Sequence, residues 1–252
     1  MIEIFILSIV QGITEFLPIS SSSHLILISK YISFNNQGLS VDVSLHIGSF
    51  LAVIVYFKKD VFNFIKNKDL FFKIILSSLP VMLVGFVLVR LDLVNQFRNI
   101  QVIGWTTIIF GILLFISDKM KVSKKIEKNF SLKSAIFIGS LQILSLMPGV
   151  SRSGIAISAS RFLKFSRYDS AKISFLISIP ILAAVSLFGL NNLITSENLD
   201  FSLLNLISIF LSFIFSYITI KFFLKYLQKF SLNIFVIYRL ILGIILLVIS
   251  YL

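Results

Sequence analysis

The sequence predicts an all-α integral membrane protein: six transmembrane helices plus two re-entrant helical hairpins in an inverted-topology repeat. Three observations lead there. The 252-residue chain is 57% apolar and only 13% charged, with a mean hydropathy of +1.00, where a soluble domain carries about 25% charge. Apolar stretches of roughly 18 to 21 residues recur, the length a bilayer core demands. Of 23 Lys and Arg residues, 18 fall in four segments, 58–73, 118–133, 161–172 and 221–231, separated by connections nearly free of positive charge.

Each element follows from that charge map. Basic connections stay in the cytoplasm, so 39–57 runs inward, 74–91 outward and 100–117 inward. Residues 173–190 run outward, 203–220 inward and 232–252 outward. The connection 191–202 has no base and carries Glu197 and Asp200, which places it outside together with both termini. Segment 1–29 must then begin and end outside, and segment 134–160 must begin and end inside. Pro18 and Pro148 break these two segments near their middles, so both read as re-entrant hairpins. The repeats are 1–117 and 134–252, within one polytopic domain covering 1–252. Broken helices are tolerated at membrane depth where protein or water surrounds them, and a polar site near the midplane is the usual consequence.

Other function classes fall away. The net charge of +12 marks topology and matches anionic lipid headgroups; it does not point to nucleic acid. Cysteine is absent, which excludes disulfides and thiolate chemistry. No cleavable signal peptide is expected, since Glu3 stands where a basic start would be.

The chemistry is concentrated in the two proline-broken segments. The first reads Gln11-Gly-Ile-Thr-Glu15-Phe-Leu-Pro18-Ile-Ser20-Ser21-Ser22-Ser23-His24. Gln11 and Glu15, four apart, share a helix face, and an ionisable group at this depth is expected to be functional. They suit a divalent cation or a proton relay. One carboxylate is a thin site for Mg²⁺ or Ca²⁺, so substrate phosphates would have to complete the shell. His24, three residues after Ser21, can accept a hydroxyl proton. Ser21 is favoured as nucleophile with His24 as its base, and attack by His24 itself is the alternative. His46 reads as a packing residue or a support behind the site.

The second segment, Gln142-Ile-Leu-Ser145-Leu-Met-Pro148-Gly149-Val-Ser151-Arg152-Ser153-Gly154, is the more specific. Gly149 and Gly154 allow sharp turns and close backbone approach. Ser151, Ser153 and the N–H groups opening the next helix form an anion cradle. Arg152 adds a planar fork suited to phosphate oxygens. The plainer role for Arg152 is a buried ion pair with Glu15, and the two roles are compatible if substrate opens the pair. Arg239, inside the last span, is undecided between the interior and the interface. The bases of 161–172 read as a cytoplasmic, headgroup-facing surface.

Together the two segments resemble the undecaprenyl pyrophosphate phosphatase, or bacitracin-resistance, family. Leu45-His46-Ile-Gly48-Ser-Phe-Leu-Ala52 and Ser174-Phe-Leu-Ile-Ser-Ile-Pro180 add to the likeness, in order along most of the chain. The resemblance implies a bacterial cytoplasmic-membrane enzyme that hydrolyses undecaprenyl diphosphate to the monophosphate for cell-wall carrier recycling. It further implies an extracytoplasmic site and a divalent cation, with catalytic roles for Glu15, Ser21, His24 and Arg152 and with Ser20, Ser151 and Ser153 as neighbours. Three positions depart from the family pattern: Gln11 for Glu, Ser23 for Gly and Ala156 for Thr. Its partners would be undecaprenyl diphosphate and the bilayer, with a homodimer as the candidate assembly.

The rival class is a secondary transporter or polyprenyl-phosphate flippase, since inverted repeats with broken helices are transporter architecture. A phosphatase of the type-2 phosphatidic-acid class needs a further His after Ser-Arg, and no His follows His46.

Overall fold

The apolar stretches become helices. A computed structural model describes residues 2–31, 38–91, 93, 99–195 and 203–252, and their regular structure is helical apart from one bridge between Lys124 and Phe165. In chain order the helices are α1 (Ile2–Thr14), α2 (Ser21–Tyr31), α3 (Leu39–Tyr56), α4 (Lys58–Lys66), α5 (Lys68–Arg90) and α6 (Ile100–Asp118). There follow α7 (Ile126–Asn129), α8 (Leu132–Gln142) with a 3-10 turn over Ile143–Leu146, α9 (Arg152–Phe162), α10 (Arg167–Thr195), α11 (Leu203–Leu227) and α12 (Asn233–Tyr251). Asn67, Asn99 and Ser131 cap α5, α6 and α8 by accepting from the N–H of Leu70, Val102 and Ser134. Glu197 and Asp200 lie outside the described residues.

Among the described residues five helices are long and apolar enough to cross a bilayer: α5, α6, α10, α11 and α12. The bent pair α3 and α4, angled by 78°, makes a sixth if it counts as one span. The chain is therefore a multi-pass membrane protein. The bend falls at Phe57, where the apolar run gives way to Lys58, Lys59 and Asp60. The 13 residues of α1 rise about 20 Å, too little for a hydrocarbon core of about 30 Å. Ile234, Ile237, Ile241, Ile244 and Val248 of α12 are exposed, as a lipid-facing stripe should be.

Helix contacts are exchanged between the halves. α3 packs on α10 and α11, α10 also packs on α5, and α6 packs on α12; α1 lies on α11 as α8 lies on α5. Membrane helices associate through small residues and interhelical hydrogen bonds, and both are present. Ser49 of α3 bonds Ser212 and Ser216 of α11 at 3.2 and 2.9 Å, and Ser212 donates to the Leu45 carbonyl at 2.6 Å. Gly104 and Gly243 bring α6 and α12 together so closely that a Cβ on Gly243 would sit 2.9 Å from the Gly104 oxygen.

One sequence expectation changes here. Arg161 faces no headgroup: it is buried and donates to the carbonyls of Asp118, Met120 and Phe165. These carbonyls, near the ends of α6 and α9, would otherwise go unpaired inside the protein, which is costly. Asp118 in turn accepts from Arg167 at 2.6 and 3.0 Å and from the Leu232 N–H at 3.2 Å.

Candidate functional site

Two turns meet in the interior. After α1 the chain passes Pro18 and reaches Ser20 at φ 75°, whereupon α2 begins. After the 3-10 turn it passes Pro148 and Gly149, at φ 92°, and reaches Ser151 at φ 70°, whereupon α9 begins. Left-handed backbone at a non-glycine residue costs about 1–3 kcal/mol and gathers at functional sites. Gly149 has no substitute: a Cβ there would run into Thr106 Oγ1, the hydroxyl that donates to the Pro148 carbonyl at 2.6 Å. Ser151 caps α9 by accepting from the Gly154 N–H at 3.1 Å.

Glu15 and Arg152 join the turns. Arg152 Nη2 donates to Glu15 Oε1 at 2.6 Å, with the carboxylate side chain 7% exposed. The other oxygen, Oε2, accepts from Ser21 Oγ at 2.7 Å and from Gln11 Nε2 at 3.2 Å. Gln11 Oε1 is buried without a partner. Ser153 Oγ donates to the Leu17 carbonyl at 2.8 Å, a second link between the turns. Ser151 and Ser153 share a hydrogen bond at 3.2 Å, as do Ser20 and Ser23 at 2.9 Å.

His24 is placed differently from the sequence expectation. Its Nδ1 lies 2.7 Å from the Ser20 carbonyl. A carbonyl only accepts, so in the neutral imidazole Nδ1 carries the proton and Nε2 is the acceptor. That acceptor takes the Tyr238 hydroxyl at 2.5 Å, with the two rings stacked. Ser21 therefore bonds Glu15, and its expected hydrogen bond to His24 is not formed. The left-handed bend at Ser20 folds α2 back against α1, which puts the carboxylate nearer to the hydroxyl than the imidazole is. His46 bonds the carbonyl of Asp42 on its own helix at 2.8 Å.

Tyr238 and Arg239 are the residues that motif reading missed. Arg239 is fully buried. Its Nε donates to the Thr107 carbonyl at 3.2 Å, Nη1 to Pro18 and Val150 at 3.1 Å each, and Nη2 to Gly149 at 2.8 Å. The signal available in the sequence was one guanidinium in the middle of the apolar run of α12.

A fixed cation with hydroxyl and N–H donors, set against a carboxylate-bound hydroxyl and an imidazole, is the equipment of a membrane-embedded phosphatase. Comparison with known proteins agrees with that class. The chain belongs to the family described as Bacitracin resistance protein BacA, which it matches over residues 4–245. It is 51% identical to the Undecaprenyl-diphosphatase of Pelagibacter ubique (strain HTCC1062), across 99% of this chain and 98% of the relative. It is 43% identical to the Undecaprenyl-diphosphatase of Aliivibrio salmonicida (strain LFI1238), across 96% and 95%. To that of Jannaschia sp. (strain CCS1) it is 38% identical, across 98% of both.

Proposed function

We propose that the chain is an undecaprenyl-diphosphatase, hydrolysing the lipid-carrier diphosphate to monophosphate and phosphate so that the carrier returns to cell-wall synthesis. The observation that carries this is the contact of Arg152 with Glu15, which places an anion-binding fork beside a hydroxyl already hydrogen-bonded to a carboxylate. Near-full-length identity with relatives of that name supports it.

In this reading the diphosphate takes Arg152 from Glu15, and its oxygens meet Ser151, Ser153 and the N–H groups opening α9. Ser21 Oγ attacks the terminal phosphorus as its proton passes to Glu15 Oε2. The bond from phosphorus to the bridging oxygen breaks, and undecaprenyl monophosphate leaves. Water, deprotonated by His24 Nε2 after Tyr238 yields, then attacks the phosphorus of the phosphoserine. The bond from phosphorus to Ser21 Oγ breaks, and that oxygen takes back the proton held on Glu15. Preorganised donors of this kind are each worth about 10²–10³ in rate. A divalent cation, Mg²⁺ or Ca²⁺, belongs to the proposal. No three His, Asp or Glu side chains gather among the described residues, so Glu15 and the unpartnered Gln11 Oε1 are the oxygens that fit, and the ion would supply charge neutralisation on the phosphates.

The same reading takes α3 as a sixth span and the pairs α1–α2 and α8–α9 as re-entrant hairpins. It makes 1–117 and 134–252 inverted repeats of one domain, with the site open to the extracytoplasmic side of a bacterial cytoplasmic membrane. Supporting it are the shortness of α1 and α8, the exchanged helix contacts and the basic segments. Labelling of a cysteine introduced at position 197 from the cytoplasmic side alone would overturn that topology.

The activity is tested by phosphate release from a C55 diphosphate by purified protein in detergent, with and without chelator. Detergent leaves no second compartment, so a transporter would release nothing. Folded protein without turnover sinks the enzymatic reading, and turnover indifferent to chelator removes the cation from it.

A further inference from the structure

We propose that Arg239 is a positioning residue for the phosphate site, holding both turns in the one arrangement that presents their donors to the anion. This rests on the phosphatase reading above. Arg239 stands in the middle of α12 with no carboxylate in ion-pair contact among the described residues. All four of its hydrogen bonds go to backbone carbonyls, and three of those, at Pro18, Gly149 and Val150, belong to the two turns. A buried cation without a counter-charge is costly at membrane depth, so its place here calls for a role beyond filling space.

Peptide geometry supplies that role. No peptide bond among the described residues is cis, and across a trans peptide the carbonyl and the next N–H point in opposite directions. Drawing the Val150 carbonyl onto Arg239 therefore turns the Ser151 N–H away from it. That N–H, with those of Arg152 and Ser153, opens α9, where the first-turn donors lack helical partners and favour an anion. Arg239 thus orients the cradle without lying in it. Its planar fork reaches both turns at once, which the compact ammonium of a lysine cannot reproduce.

The molecule holds its own control. Arg161, at the far end of α9, is also buried and also forks onto three carbonyls, none of them in the turns, with the Asp118 carboxylate 3.8 Å from its Nε as a counter-charge that Arg239 lacks among the described residues. If burial and carbonyl pairing were all that mattered, the two arginines would respond alike to substitution.

The test compares Arg239→Lys with Arg161→Lys, measuring melting temperature together with kcat and KM for a C55 diphosphate in detergent. Both variants should melt lower. Only Arg239→Lys should lose kcat per folded molecule, by about 10²-fold, the usual effect of misplacing one such donor set, with KM raised as well because the same cradle meets the bound diphosphate. Arg161→Lys should keep its kcat. Unchanged kcat in Arg239→Lys, or an equal loss in both variants, overturns the proposal. If Arg239→Lys does not fold, Arg239→Gln, neutral and still a donor, takes the same readout. Failure of both to fold beside a folded Arg161→Lys assigns Arg239 to stability alone and also overturns it. The two readings fail separately: wild-type protein that releases no phosphate sinks the enzymatic reading, whereas an active wild type with an equally active Arg239→Lys sinks only this one.

Discussion

The two turns are built alike and equipped differently. Each follows a proline, each sets a serine in left-handed backbone, at φ 75° for Ser20 and φ 70° for Ser151, and each opens a short helix. The first carries Glu15, Ser21 and His24, groups that take up and release protons. The second carries Arg152, Ser151 and Ser153, a permanent cation with neutral donors. Neither turn is a phosphatase site alone. The shared backbone supplies a left-handed turn, and in the proposed mechanism the side chains divide the labour: one turn handles protons while the other holds the anion. Their single ion pair, Glu15 with Arg152, is where the halves meet.

The largest effect expected is loss of that meeting point. Glu15→Gln and Arg152→Ala should each abolish phosphate release. Because each leaves a buried partner uncompensated, each should also cost about 3–5 kcal/mol of stability, read as a lower melting temperature. Glu15→Gln combined with Arg152→Met should regain part of that stability and stay inactive. Arg152→Lys should rescue poorly, because an ammonium lacks the fork. Near-normal turnover in Arg152→Lys would reduce the second turn to a point charge and break the comparison.

Next is the identity of the nucleophile, which decides whether the first turn works through its carboxylate or its imidazole. Ser21→Ala and His24→Ala should both be severely impaired, so substitution alone cannot separate them. Rapid acid quench with terminally labelled substrate should leave an acid-stable phosphoserine at Ser21, the hydroxyl bonded to Glu15. Acid-labile label on His24 would transfer the attack to the imidazole.

How much of this was legible in the sequence depends on the range of the force involved. Span positions were open to reading because apolar length is a local property. The breaks at Pro18 and Pro148 were legible for the same reason, and so was the encounter of Glu15 with Arg152, since few charges exist to pair. The direction of Ser21 was not. It depends on a left-handed φ at Ser20, which serine does not foretell. Arg161 sat in a basic segment and resembled surface; only the carbonyls at the ends of α6 and α9 explain its burial. Tyr238 contacts a residue 214 positions away and Arg239 one 221 away, and no motif spans that distance.

The smallest effect expected concerns Tyr238, and it tests the first turn from outside. Its hydroxyl donates to His24 Nε2, the nitrogen that accepts a proton from water in the proposed mechanism. In that mechanism Tyr238 acts through His24, holding the ring in place until substrate enters. One hydrogen bond has a net worth of about 0.5–1.5 kcal/mol, so Tyr238→Phe should lower kcat/KM by roughly two- to tenfold, far less than His24→Ala. The ring remains and the stack with His24 survives, so melting temperature should barely change. The decisive measurement is the pair of substitutions together. If Tyr238 works only through the imidazole, adding Tyr238→Phe to His24→Ala should cost nothing further, because the coupled residue is already gone. An equal loss in both backgrounds would give Tyr238 its own contact with substrate. It would also move α12 from supporting the two turns to sharing in the site between them.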